Sequence, residues 1–223
     1  MIDTRHESKT KFLNAAIHVI RVKGYTATRI EDVCAEAGLT KGSFFHHFKS
    51  KDELALAAAE HWEEVTNDLF RSAPYRQLAD PLDRVLAYVD FRKEILQGKL
   101  ADFTCLVGTM VQEVYDTNPD IREACNRSIS SHALTVEADI AEAMEKYGVK
   151  GAWTAQSLAL YTQATLQGAF ILAKAKGGPE IAVNCVEHLH RYIEMLFPQS
   201  DSRRVLNARR SKARREDTVQ EVV

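Results

Sequence analysis

With 223 residues, 45% of them apolar, and a net charge of only −2, the chain can fill the cores of one small and one larger folded unit, which excludes a wholly disordered polyelectrolyte. It holds no run of eighteen apolar residues, and its polar start reads straight into a helix without a signal peptide; a soluble, cytoplasmic protein with no membrane contact is expected. Four scattered cysteines, Cys34, Cys105, Cys125 and Cys185, contain no CxxC pair and exclude both a zinc ribbon and a secreted disulfide framework.

Leu13, Ala16, Ile17 and Ile20 fall at i, i+3, i+4, i+7, and Ile30, Val33, Cys34 and Ala37 repeat that spacing, so two amphipathic helices are predicted. Thr28, with Glu31 three residues on, reads as a capping box that starts the second. Gly38 stands where this helix must end in a left-handed turn. Thr40 is placed to cap a short third helix, in which Phe44 and Phe48 make an apolar i, i+4 pair. Ser50 and Glu53 form a second capping box, opening a long helix through Leu54, Ala57 and Ala58. The pattern is helix-turn-helix.

Beyond that unit Pro81 starts a helix through Leu82, Val85, Leu86 and Val89 that ends near Gly98. A short helix is predicted over about 105–115. Asn118 caps the next, with Pro119 in its first position and apolar residues from Ile121 to Met144 carrying it towards Gly148. Two more helices, over 153–175 and 179–197, are separated by Gly177-Gly178 and stopped by Pro198. No segment alternates as a strand does, so the fold class is all-α.

The aromatics of the short third helix, Phe44, Phe45 and Phe48, are explained largely by core packing. Its polar remainder is not: Lys41, Ser43, His46, His47, Lys49 and Lys51 come without an acid until Asp52, as a surface facing phosphates requires. Residues 1–55 hold nine basic and seven acidic side chains, 56–198 thirteen and twenty, and 199–223 seven and four. An acidic body with a basic leading end orients an approach to DNA.

Gly38-Leu39-Thr40-Lys41-Gly42-Ser43, then Phe44-Phe45-His46-His47-Phe48 and Ser50-Lys51-Asp52-Glu53-Leu54, resembles the signature of the TetR/AcrR family of transcriptional regulators over roughly the first quarter of the chain. The resemblance implies a three-helix DNA-binding domain at 1–54, a larger helical effector-binding and dimerisation domain at 55–198, and a basic tail at 199–223 whose Arg203-Arg204 and Arg209-Arg210 pairs and few apolar residues suggest disorder. Double-stranded DNA, an unidentified small-molecule effector and a second copy of the chain are the implied partners. The DNA-binding residues are then Thr28 and Arg29 ahead of the second helix, together with Thr40, Lys41, Ser43, Phe45, His46, His47 and Lys51. Thr40, His47 and Lys51 suit phosphate anchoring, and Lys41, Ser43 and His46 suit base edges. Phe45 stands where the family commonly has a tyrosine, which leaves it an apolar role such as contact with a thymine methyl.

The resemblance further implies a dimer interface on the last two helices, drawn from Tyr161, Thr165, Gly168, Ala169, Leu172, Val186, Leu189 and Ile193; the plainer alternative is that these close the core of one copy. Pocket walls are expected from among Phe91, Phe103, Met110, Tyr115, His132, Trp153, Tyr161 and Phe170, with core packing as the plainer alternative for most. Phe103-Thr104-Cys105-Leu106 resembles the segment where some members place an electrophile-sensing cysteine, with Lys174 as a partner cation for Cys105; a small buried hydrophobe is the alternative. His188 and His190 lie two apart on different helix faces, so neither metal nor other cofactor is expected, and no nucleophile, base and orienting group stand at an enzyme-like spacing. The implied function is a ligand-responsive, sequence-specific repressor. It would bind a near-palindromic operator as a homodimer and be released by a small molecule or an electrophile. The alternative is a dimeric small-molecule sensor whose output does not depend on operator contacts of its own.

Overall fold

The computed structural model describes residues 4–197; the basic tail and Pro198 lie outside them. Ten α-helices and one 3-10 turn make up this part, and among the described residues there is no strand. They are α1 (Thr4–Lys23), α2 (Ile30–Ala37), α3 (Lys41–His47), α4 (Lys51–Ser72), the 3-10 turn Pro74–Gln77, α5 (Pro81–Glu94), α6 (Leu100–Phe103), α7 (Leu106–Val114), α8 (Pro119–Lys146), α9 (Ala155–Lys176) and α10 (Glu180–Leu196). The all-α expectation holds, while the four-residue α6 has too short a pattern to be seen in sequence.

Two cores divide the chain, and they do not divide it at residue 54. The first joins α1 to α4 with α7 and the start of α8: Phe12, Phe44 and Phe48 are fully enclosed, and Leu106, Met110, Ile121 and Cys125 pack into the same cluster. Phe12 meets Phe44 and Phe48 edge-on, with centroids 5.6 and 6.3 Å apart. Each of these rings contributes roughly 1.5–3 kcal/mol by leaving water. The second core lies among α5, the later turns of α8, α9 and α10. α4 runs unbroken from the first into the second.

The turns follow their local chemistry with two corrections. Gly38 takes φ +66° and closes α2 in the left-handed region, and the Thr40 hydroxyl accepts from the Ser43 amide to open α3. α2, however, starts one residue later than the Thr28 capping box requires. Arg29 holds the cap position and its amide donates to Asp32 at 2.8 Å, whereas the Thr28 hydroxyl turns back to donate to the Gly24 carbonyl at 2.5 Å. At α4 the Ser50 hydroxyl does accept from the Glu53 amide, but the Glu53 carboxylate takes the amide of Lys49 instead of completing the box at Ser50.

Candidate nucleic-acid interface and ligand cavity

α3 is pinned by Phe44 below and exposes the opposite side. Phe45 is 55% exposed, and Arg29, Thr40, Lys41, His46 and Lys49 share the outer surface, with Ser43 half-buried beside them. Lys41 pairs with Glu31 of α2 across this face. A phosphate approaching here competes with an exposed ion pair that is worth little, so the cation is easily recruited.

Three of the expected DNA contacts have polar groups engaged within the fold. Thr28 is 2% exposed and its hydroxyl is spent on Gly24, so its side chain is withdrawn from this face. The Lys51 ammonium lies 4.3 Å from the Tyr25 ring centroid and donates to the Tyr25 carbonyl at 3.1 Å, an arrangement that ties α4 to the turn before α2. His47 is half-buried, within 2.7 Å of the Ser8 hydroxyl and edge-on to Phe12, both on α1. Lys51 and His47 thus link α4 to the Tyr25 turn and α3 to α1.

Besides the shared apolar core, the body holds this unit by polar contacts at one loop. Glu113, on α7, accepts the amides of Tyr25 at 3.0 Å and Thr26 at 2.7 Å, and a side chain at Gly24, where φ is +86°, would run into the same carboxylate. Successive amides converging on an anion form a nest, and only glycine leaves room for it. Asp52 adds a second tie, accepting from the Tyr25 hydroxyl and from Asn118 of α8.

Behind α1 lies a partly open cavity of about 150 Å³ lined by α1, α4, α5, α6, α7, α8 and α9. Trp62, Phe70, Phe103 and Phe170 give it apolar walls, and Arg21, Arg92, His132, Gln163 and Gln167 its polar ones. Gln163 donates to the Tyr88 hydroxyl at 3.3 Å, and that hydroxyl is hydrogen-bonded to Nε2 of His132 at 2.9 Å. Burial, with Arg92 adding to it, pushes the His132 pKa down to about 3, so the ring is neutral. Cys105 lines this cavity and also a second hollow of about 370 Å³ that reaches Gly24, Glu113 and Lys174.

A model of bacterial regulatory proteins of the tetR family matches residues 12–58, and one described as the C-terminal domain of LmrA/YxaF-like transcriptional regulators matches residues 81–182. The chain belongs to the TetR family. Within the family it is 39% identical to YerO of Bacillus subtilis, an uncharacterised HTH-type transcriptional regulator, over 53% of this chain and 40% of YerO. It is 26% identical to the HTH-type transcriptional repressor NemR of Escherichia coli over 64% of this chain and 69% of NemR. A crystal structure of a TetR transcriptional regulator from Chloroflexus aurantiacus superposes with a TM-score of 0.75 at 27% identity, covering 86% of this chain and 96% of that one. The chain spans only 40–63% of the length of several curated relatives.

The first match holds the whole helix-turn-helix unit α2–α3, and the second carries most of the residues that line the cavity. Of the expected pocket residues, Phe103, Cys105, His132 and Phe170 line the cavity. Phe91 stands behind it against Phe70 and Tyr75, Met110 is sealed in the first core, and Trp153 packs on Phe197 in the second. Cys105 is the cap residue of α7 and not part of its first turn; its sulfur accepts from the Gly108 amide at 3.4 Å. Lys174 donates to the Thr109 hydroxyl at 2.9 Å and reaches the second hollow, away from the cavity.

Arg21, Trp62, Arg92 and Gln167 were missed. Arg21 carried a signal: it follows Ile17 by four residues and Leu13 by eight, which places a cation on the apolar face of α1. The interface expected on α9 and α10 also splits. Ala169, Val186, Leu189 and Ile193 are buried within this copy, as their spacing equally allowed, whereas Tyr161 and Leu172 are exposed and Thr165 and Gly168 half-buried. Exposed Leu160, Ile171, Tyr192 and Met195 extend that outer face, with the Tyr161 and Tyr192 rings 5.2 Å apart.

Proposed function

We propose that this TetR-family protein is a homodimeric repressor that reads a near-palindromic operator with α2 and α3 and releases it when an effector occupies the cavity behind α1. The observation that carries the reading is the outer face of α3, where Lys41, Phe45 and His46 are exposed while Phe44 and Phe48 lock the helix from beneath. Lys41, Lys49 and Arg29 then meet phosphates or base edges, and Phe45 packs against a thymine methyl in the major groove. Two such faces must sit about 34–36 Å apart to enter successive grooves.

A second copy supplies that spacing through the outer face of α9 and α10, now drawn from Tyr161, Thr165, Gly168 and Leu172 with Ile171, Tyr192 and Met195. A nearly continuous apolar strip on two adjacent helices fits a two-fold partner. Cys105 is proposed as the entry point for electrophiles, because its sulfur lines both hollows and is therefore within reach of a small molecule in either. A gel shift of the full-length protein with the DNA upstream of its own coding sequence tests the function. Binding that survives excess random competitor supports it. Equal loss of both fragments leaves only the alternative of a dimeric sensor without operator contacts.

A further inference from the structure

Among the described residues, Arg21 is the one buried cation without an ion-pair partner. It is 9% exposed, its Nε is buried without a hydrogen-bond partner, and among the described residues no carboxylate comes within ion-pairing distance of it. Its guanidinium stacks 4.8 Å from the Trp62 ring at the cavity wall. Burial lowers its pKa to about 10, partly opposed by Cys105 and Asp102, so it stays charged at neutral pH. Leaving a buried charge uncompensated is costly and calls for an occupant.

The rest of the cavity agrees with this. Arg92 enters from α5, stacked 4.9 Å from Phe70 and 5.9 Å from Tyr88, and it too has no ion pair among the described residues. Asp102 is the single carboxylate on the wall, and it is exposed and taken by the Lys99 amide at 2.7 Å. His132 is neutral, as shown above, and Gln163 and Gln167 add amide donors. Two guanidiniums therefore face an apolar space of about 150 Å³, enough room for a single ring such as benzene.

Resting on the reading of this cavity as the effector site, we propose that its occupant is a small organic carboxylate with an apolar body, received by the Arg21 guanidinium with Arg92 in support. A planar guanidinium takes a carboxylate in a two-point pairing that a neutral amide of the same shape cannot match. Arg21 sits in the last turn of α1, and α1 also carries Phe12 and Ser8, which hold Phe44 and His47 of α3. The ligand's charge is thus sensed by the helix against which the reading helix is packed. A shift of α1 towards the carboxylate changes the seat of α3, and operator and ligand must then weaken one another by the same factor.

The test is calorimetric titration of the full-length protein with benzoate, phenylacetate and hexanoate, each against its neutral amide, with wild type, Arg21→Gln and Arg92→Gln, and with operator binding read in parallel. At least one acid is expected to bind wild type more than tenfold tighter than its amide and to weaken operator binding. Arg21→Gln should abolish that preference, and Arg92→Gln should reduce it. Failure of all three acids to bind at millimolar concentration, or amides binding as tightly as acids, overturns the proposal; this comparison uses wild type alone, so a misfolded variant cannot mask it. Binding that leaves the operator untouched overturns the coupling through α1. Operator binding that persists while every acid fails sinks only this inference, whereas wild type that binds no operator sinks the regulatory reading itself.

Discussion

Replacing Glu113 with alanine should loosen the reading unit without touching a residue of the DNA face. The carboxylate accepts two backbone amides, at 3.0 Å from Tyr25 and 2.7 Å from Thr26, and no other group replaces it over Gly24. Hydrogen bonds to a charged acceptor contribute about 1.5–3 kcal/mol when sheltered. Glu113 is exposed, so roughly 1 kcal/mol for each bond is the better figure, and about 2 kcal/mol is expected in all. For a protein of this size that loss lowers the melting temperature by about 4–8 °C. Glu113→Gln keeps one acceptor oxygen and should lose about half as much. Native-state hydrogen exchange gives the local reading: the Tyr25 and Thr26 amides should exchange about 30-fold faster in Glu113→Ala. Operator affinity should fall as well, because α2 follows directly from this loop. Unchanged exchange at both amides, with an unchanged melting temperature, would refute the claim that α7 holds the loop.

Salt dependence separates the lysines: Lys49→Ala should reduce the slope of log affinity against log salt by roughly one, while Lys51→Ala should weaken binding with the slope unchanged, both measured by fluorescence anisotropy. The second result follows from the Lys51 ammonium being committed to the Tyr25 carbonyl, and a lowered slope would return it to the phosphates. Asp80 caps α5 and ties it to Tyr147 and Lys146; burial alone would raise its pKa, but these partners and the Asp83 and Leu82 amides together bring it down from 3.8 to about 2. Its contribution, about 1–2 kcal/mol after allowance for solvent, is present above pH 3.8 and is lost as pH falls through about 2. Urea midpoints of wild type and Asp80→Asn should therefore converge on acidification, and a constant gap would count against this. Met195 is 77% exposed beside Tyr192 on the outer face of α10, so Tyr192→Glu should shift the protein to monomers in sedimentation and cost operator affinity; an intact dimer would place the interface elsewhere.

Sequence alone settled what depends on neighbours a few residues apart. The turn at Gly38, the Thr40 cap, the Phe44 and Phe48 pair, the Asn118 cap with Pro119 and the all-helical class each rest on backbone geometry or on a 3.6-residue period that the chain carries locally. The family signature lies within this local region, so it was readable too. What a periodic pattern does not contain is which partner a face meets. Ala169, Val186, Leu189 and Ile193 had the same spacing as an interface and as a core, and only the packing of α5 and α8 against them decided for the core. Thr28 and Lys51 looked like DNA contacts until the fold of the Gly24 turn claimed their polar groups. Arg21 became a buried charge without an ion-pair partner only when α4 brought Trp62 over it and α6 to α9 lined the cavity, because burial and pairing are properties of residues distant in the chain.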